Sequence, residues 1–570
     1  MSHSPTQLAS SAPTAVTSEA LEQRSRLATR VLTDALLLGV VGDALLRVTG
    51  FGANMAVWAI AVIVALFTLA RRRNEPLPRD TKWLAVPAVA IALMFILRDE
   101  EGVTVYNVLV LAGTLALLAS TLAPGSRLAV TTAKVRDVIQ SAFGVGINVG
   151  FGMLPLVIGD VSYRHVARAR GGEIALSALR AALIAIPLLL IFGGLFASAD
   201  PVFANILSSI FQIDAEQVAS HIMLTGVLSW IVGGFLRSAM LADRQPMLAS
   251  MIPDRTLGLT EVSVALGSLV LLFASFVTVQ LRYFFGGDAL VQATAGMSYA
   301  DYARRGFFEL VVVSALVLPV LLSANALLRR DKASAQAVYR ALAGTLVVLL
   351  GVIMYSAVAR MRLYQSAYGM STDRLYATVF MGWLAMVFAW FAATVLRGRD
   401  QRFVVGVLVS GWSTLIALNF ADPAGLVARS NVARAATGKS LDVWYASRLG
   451  ADGAPALVEY LVKQPLAPPP NYTVPRADSA VARSARVSEA DSARGRTADD
   501  FTARCYAARE LLQDWGPSVS SDWRTWNLGR VRARRAVAAN EPALRTIASE
   551  KASNTAGWVP CPEALTTPTS

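Results

Sequence analysis

Charge is scarce in this chain. Only 16% of its 570 residues are charged, against 55% hydrophobic, and the mean hydropathy is +0.50. A soluble chain of that length carries more charge and breaks up its apolar residues with polar faces. Cysteine and histidine are scarcer still. The two cysteines, Cys505 and Cys561, form no CxxC, and the three histidines, His3, His165 and His221, are scattered. That pattern offers no zinc or haem ligand set, so no metal and no cofactor are expected. There is no P-loop, GxSxG, HExxH or kinase signature. Gly144, Gly146 and Gly150 are spaced GxGxxxG, not as a dinucleotide loop, and fit close helix packing.

What is present is a repeated membrane grammar, clearest in the stretch Gly296–Asn325. Ser298, Tyr299, Tyr302, Arg304 and Arg305 form a polar and aromatic head. Phe307 to Leu322 follows, apolar except for Glu309 and Ser314. This is the anatomy of a spanning helix with an interfacial anchor. Similar spans are expected over residues 31–48, 53–70, 83–97 and 103–122, then 174–197, 221–241, 261–285, 307–328, 338–359, 376–396 and 403–420. The fold class is therefore all-α, a polytopic transmembrane helical bundle of about eleven spans. Residues 138–161 are apolar but basic on both sides, which fits a re-entrant or surface-lying segment better than a crossing.

The organisation follows. Residues 1–30 read as a disordered cytoplasmic tail without a signal-peptide core, and 31–122 as two hairpins, the second joined by the acidic tip Arg98–Gly102. Residues 123–173 form the cytoplasmic or re-entrant segment, and 174–420 a core of seven spans. Lys and Arg crowd onto one side of this topology, which places the N-terminus inside and residues 421–570 outside. The net charge of +13 is accounted for in the same way, by loops facing an anionic leaflet, with no nucleic-acid partner. Membrane lipids are the expected surroundings. The last 150 residues read as short helices over 423–463, a Pro-, Ala- and Arg-rich linker over 464–500, and amphipathic helices over 501–513 and 526–539. Trp515, Trp523 and Trp526 either pack a small core or sit at the membrane interface. In an oxidising compartment, Cys505 and Cys561 could pair.

Several constellations could carry chemistry. Asp301, Arg305 and Glu309 follow at i,i+4 on one helix face, an interfacial charge ladder. Read functionally, they form the mouth of an anion or lipid site that Arg360, Arg362 and Arg374 could join, since clustered arginines suit phosphate or carboxylate. Asp200, Asp214 and Glu216 make an acidic loop on the same side. Asp34 and Asp43 are ionisable residues inside a span, and such groups are costly there. Asp43 lies four residues from Arg47, a spacing that suits an ion pair.

Four runs carry a resemblance: PLLLIFGGLFASADPVF at 187–203, SYADYARRGFFEL at 298–310, NFADPAGLVARSNVARA at 419–435 and LDVWYASRLGADGAPALVEYL at 441–461. Together they resemble the bacterial integral-membrane families of unknown function numbered 4153 and 4173, over roughly residues 174–465. The resemblance implies a multi-span fold in a bacterial inner membrane with a helical C-terminal extension, and transfers no activity. The first functional reading is a non-enzymatic scaffold, sensor or envelope-assembly component acting through a protein partner on residues 421–570. A transporter or lipid-handling protein is a second reading. It needs a polar cavity lined by Asp34, Asp43, Gln280, Arg305 or Glu309. A third is an enzyme like the polyprenyl-linked glycosyltransferases, with Asp200 as base or ligand.

Overall fold

In the computed structural model the described residues are 18–73, 75–126, 128–161, 192–193, 195–196, 198–203, 215–242, 257–295, 307–329, 333–463, 489–549, 551–554 and 557–560. Among the described residues the regular structure is helical, apart from a hairpin pairing Lys551–Asn554 with Gly557–Pro560. Among the described residues, eleven long helices come first: α1 Ser18–Leu46, α2 Ala53–Arg71, α3 Arg79–Met94, α4 Glu101–Leu122, α5 Val135–Phe151, α6 Ala215–Met240, α7 Leu259–Ala295, α8 Phe307–Leu327, α9 Ala333–Tyr368, α10 Thr372–Thr394 and α11 Phe403–Ala421. The tail adds α12 Pro423–Ala435, α13 Val443–Ser447, α14 Gly450–Lys463, α15 Glu489–Trp515, α16 Leu528–Ala539 and α17 Glu541–Ser549.

Eight of these helices, α2, α4 and α6 to α11, are long and apolar enough to cross a membrane. Their outward faces carry exposed Leu, Val and Phe, as lipid-facing surfaces do. The expected count of about eleven is not reached among the described residues, for three physical reasons. α3 has only 16 residues. α1 carries Asp34, Asp43 and the arginines of its first half. The span expected at 174–197 lies largely outside the described residues.

Two cores fill the membrane part. The first joins α1 to α6, with Leu66, Leu84, Ile91, Leu118 and Leu236 buried at its centre. α1 and α6 approach closely because Gly39 faces Thr225 and Ser229; a Cβ at Gly39 would lie 2.8 Å from the Thr225 carbonyl oxygen. The second core joins α7 to α10 around Phe307, Leu321, Tyr339, Leu350 and Phe391. α11 is the seam between them. It packs on α3 and α4 on one side and on α10 on the other. Trp412 and Leu415 belong to the first core and Phe403 to the second. Two polar links fix the seam: Trp412 Nε1 donates to Thr114 Oγ1 at 3.0 Å, and the amides of Asn107 and Asn419 bond reciprocally at 3.0 and 2.9 Å.

The helices share two ends. The tail end holds the last turns of α1, α3 and α11 and the first turns of α2 and α4. The far end holds the first turns of α1 and α3 and the last of α6. α5 starts at the far end, where the Thr131 N–H just before it bonds the Asp80 carboxylate at 3.2 Å. It reaches Trp230, whose Nε1 donates to the Gly150 carbonyl at 2.8 Å. After a 60° bend, Met153–Asp160 brings the chain back to Arg24 and Arg237.

A third core belongs to the tail. Leu457, Val458 and Leu461 of α14 meet Ala507, Ala508 and Leu511 of α15, Ala533 and Val537 of α16, and Leu544 of α17. α15 begins at Glu489, inside the stretch read as linker, and residues 464–488 lie outside those described.

Candidate functional site

The site with the richest chemistry lies where the tail meets the bundle, and it is built on Arg98, Asp99 and Glu100, in the turn joining α3 to α4. Arg98 is 6% exposed. Its Nε donates to the Asn419 carbonyl at 2.6 Å and its Nη2 to the Phe420 carbonyl at 3.2 Å. These are terminal carbonyls of α11, which have no partner within their own helix. Arg98 Nη1 also faces two carboxylates, Asp422 Oδ1 at 3.2 Å and Asp452 Oδ1 at 3.3 Å. One guanidinium thus ends α11 and ties it to the tail helix α14.

Asp99 extends the lattice. Its N–H donates to Asp452 Oδ2 at 2.9 Å. Its Oδ1 accepts from Asn527 Nδ2 at 3.0 Å and from Arg530 Nε at 2.7 Å. Asn527 also caps α16, its side chain accepting from the Arg530 N–H at 2.8 Å. Glu100 then caps α4 through the Val103 N–H at 2.7 Å and accepts from the Tyr376 hydroxyl of α10. Three consecutive residues therefore reach α10, α11, α14 and α16.

Local sequence explains the partners. Asp422 ends α11 in the left-handed region at φ 58° and starts α12, with Pro423 following at the first helical position. Its carboxylate accepts from the Gly425 N–H at 3.2 Å and from Arg429 Nη1 at 3.1 Å. Asp and Asn tolerate this backbone region better than branched residues do. α16 lies against Asp452 only because position 529 is Gly; a Cβ there would sit 2.5 Å from Asp452 Oδ1.

Three carboxylates (Asp99, Asp422, Asp452) are balanced by three guanidiniums (Arg98, Arg429, Arg530). Burial pushes the Asp99 carboxyl above its ordinary value, and Arg530 and Asn527 pull part of the way back. Burial also raises Asp452, with the neighbouring Asp422 charge adding to it, against the Asp99 N–H and Arg98. Each of these carboxylates is spent on protein partners. The arrangement suits fastening rather than proton transfer to a substrate.

The tail grips the second bundle too. The Asn431 amide bonds both the N–H and the carbonyl of Met370 at 2.8 Å, in the turn between α9 and α10. The Tyr445 hydroxyl accepts from the Thr372 N–H at 2.8 Å.

The residues singled out from sequence are distributed elsewhere. Asp301 and Arg305 lie outside the described residues, as do Asp214 and Cys561. Glu309 is exposed in the first turn of α8. Arg362 is exposed and Arg360 half-buried near the tail end of α9. Arg374 donates to the Gly369 carbonyl at 2.5 Å and lies 4.1 Å over the Tyr364 ring. Asp200 accepts from the N–H groups of Val202 and Phe203 at 2.7 and 3.4 Å, capping its own turn, and Glu216 is exposed at the start of α6. Asp34 is half-buried. Asp43 is buried and bridges Arg47 and His221, each at 2.5 Å. Cys505 is disulfide-bonded. Sequence reasoning missed Arg98, Asp99, Asn419, Asp422, Asp452, Asn527 and Arg530 as a group. The available signals were the charged run Arg98–Glu101 between two apolar helices, and the NFADP and LGADG runs.

These features define an all-α, multi-pass integral membrane protein whose tail is bonded to both halves of its bundle. The chain matches the family described as Domain of unknown function (DUF4153) over residues 85–460, and it belongs to that family. The matched segment takes in Arg98, Asp422 and Asp452, but not Asn527 or Arg530. No curated protein matches the chain, and no solved structure does.

Proposed function

We propose that the chain is a membrane scaffold, whose tail presents a fixed surface to a protein partner. The observation that carries this reading is the tail's double attachment, to the first bundle through Arg98 and Asp99 and to the second through Asn431 and Tyr445. A helical unit held at both bundles is preorganised for binding, which lowers the ordering cost of association. Its chemistry fits a non-enzymatic role, because the buried ionisable groups are occupied by one another.

The membrane is a bacterial inner membrane, with the far end cytoplasmic and the tail outside it. The basic far-end loops support that orientation, and the disulfide at Cys505 supports an oxidising compartment for the tail. α1 to α4 and α6 to α11 each join the two ends, and α5 with its bent continuation is re-entrant. Asp160 and Ala215 lie toward opposite ends of α1, Asp160 beside Arg24 and the start of α6 beside Arg47, which supports a total of about eleven spans.

Chemical cross-linking in native membranes, followed by mass spectrometry, tests the scaffold. The expected result is a stoichiometric protein joined through residues 423–549. Recovery of the chain with lipid alone overturns the reading. A second reading, a transporter or lipid-handling protein, rests on Gln280. It is 5% exposed in α7, and both atoms of its amide lack a hydrogen-bond partner among the described residues. Gln280→Leu would stabilise a purely structural bundle but abolish a polar path.

A further inference from the structure

The loop between α15 and α16 is stitched to three helix ends. Arg524 Nη1 donates to the Ala44 carbonyl in the last turn of α1 at 2.7 Å. The Ala53 N–H, opening α2, donates to the Trp526 carbonyl at 2.9 Å, and the Leu528 N–H donates to the Ile96 carbonyl just beyond α3 at 2.8 Å. Backbone groups at helix ends need outside partners, and here the tail supplies them. The ends of membrane helices mark the layer where hydrocarbon gives way to headgroups, so this loop lies in that layer. Its aromatic rings agree. Trp523 is 64% exposed, Trp526 47%, and the adjoining Phe51 44%, a composition typical of the interface.

Between the loop and the end of α1 is an open hollow of about 660 Å³. Its floor is Ala44 and Leu45 and its wall runs from Ser520 to Arg524. Asp522 and Arg524 bond each other through two edges, at 2.6 Å for Nη2 to Oδ2 and 3.1 Å for Nε to Oδ1. The guanidinium holds the Asp522 carboxyl below its ordinary value, so the wall carries one full negative and one full positive charge. About a third of each side chain stays in contact with the surroundings.

The geometry points to this hollow as the seat of a zwitterionic phospholipid headgroup bearing a primary ammonium. The ammonium sits against the exposed third of the Asp522 side chain and the Trp523 face, where cation–π attraction operates. The phosphate meets Arg524 and the hydroxyls of Ser520 and Ser521, and the acyl chains run down the exposed side of α1 past Val41 and Leu37. An anionic headgroup without an ammonium would meet Asp522 as a like charge with nothing to offset it. The inference rests on the multi-pass membrane fold and is independent of the scaffold reading.

Native mass spectrometry of the full chain, loaded with equal amounts of phosphatidylethanolamine and phosphatidylglycerol, tests it. The expected spectrum shows one phosphatidylethanolamine retained in preference to phosphatidylglycerol. Trp523→Ala, at an exposed position, should weaken that retention about tenfold with an unchanged melting temperature. Arg532→Ala, on the exposed side of α16, should retain it in full. Equal retention of the two lipids, no retained lipid, or a Trp523→Ala variant indistinguishable from wild type would each overturn the assignment. Ser520→Ala with Ser521→Ala provides a second variant that leaves the Arg524–Ala44 contact intact.

Discussion

The two ends of the bundle solve the same electrostatic problem in different ways. At the far end, Asp160 sits between two arginines, Arg24 at 3.1 Å and Arg237 at 2.7 Å, and Arg237 also reaches Asn148 at 2.9 Å. The Arg24 side chain is 38% exposed there, so water and salt reach the cluster. At the tail end, Arg98 and Asp452 are sealed, and their partners come from helices hundreds of residues apart. The open cluster can lose a member and let water take its place. Losing a member of the closed lattice leaves Arg98 or Asp452 buried with less compensation, and that is expensive.

The sharpest break of this contrast is Arg98→Ala. It takes one shared guanidinium from two carboxylates and two helix-end carbonyls, and should cost about 3–5 kcal/mol. It should be read as a lowered melting temperature in nanodiscs and as new protease cleavage within 423–549. Asp160→Asn at the open end removes charge-assisted bonds but leaves room for water, so its cost should be smaller, about 1.5–3 kcal/mol. The tail should stay protease-resistant in that variant. Equal losses from the two substitutions would erase the distinction between the ends. Asn527→Ala removes a helix cap as well as a bond to Asp99, and about 1 kcal/mol is expected, measured by the same melting experiment.

The smallest effect is pH dependence. Asp99 and Asp452 both titrate above their ordinary value of 3.8 in the folded chain. Between 3.8 and the raised values, the folded chain holds protons that the unfolded chain has lost. The contribution is therefore fully present below 3.8 and declines as pH rises through the raised values. Melting temperatures across the acidic range should fall gently with rising pH, and Asp452→Asn should flatten the slope. An opposite slope that vanishes in Asp452→Asn would show that the Arg98 charge outweighs burial.

The helical, multi-pass character was legible because hydropathy is a local property of about twenty residues. The Asp43–Arg47 spacing could be read for a similar reason, since one helix sets it. His221, the third member of that group, comes from α6 and left no trace in the spacing. The tail-end lattice was illegible for the same cause on a larger scale. Arg98 and Asp99 look like any charged turn between two spans, and nothing local announces partners at 422, 452, 527 and 530. The span count is a different case. α1 falls short of a spanning helix's composition through the charged residues along it, and α3 falls short in length with 16 residues.

The lattice also has a history in time. Arg98 bonds Asn419 across 321 positions, and Asp99 bonds Arg530 across 431. At ordinary synthesis rates of 5–20 residues per second, roughly 15–60 seconds separate the appearance of Arg98 from that of its first partner. Throughout that interval the turn between α3 and α4 must wait at the membrane surface, its guanidinium and carboxylates hydrated. The last-made residues then close a structure begun by the first-made ones. Maturation of this protein is thus gated by its own C-terminal helices, and a ribosome that stops before Arg530 leaves an inserted bundle with its clasp undone.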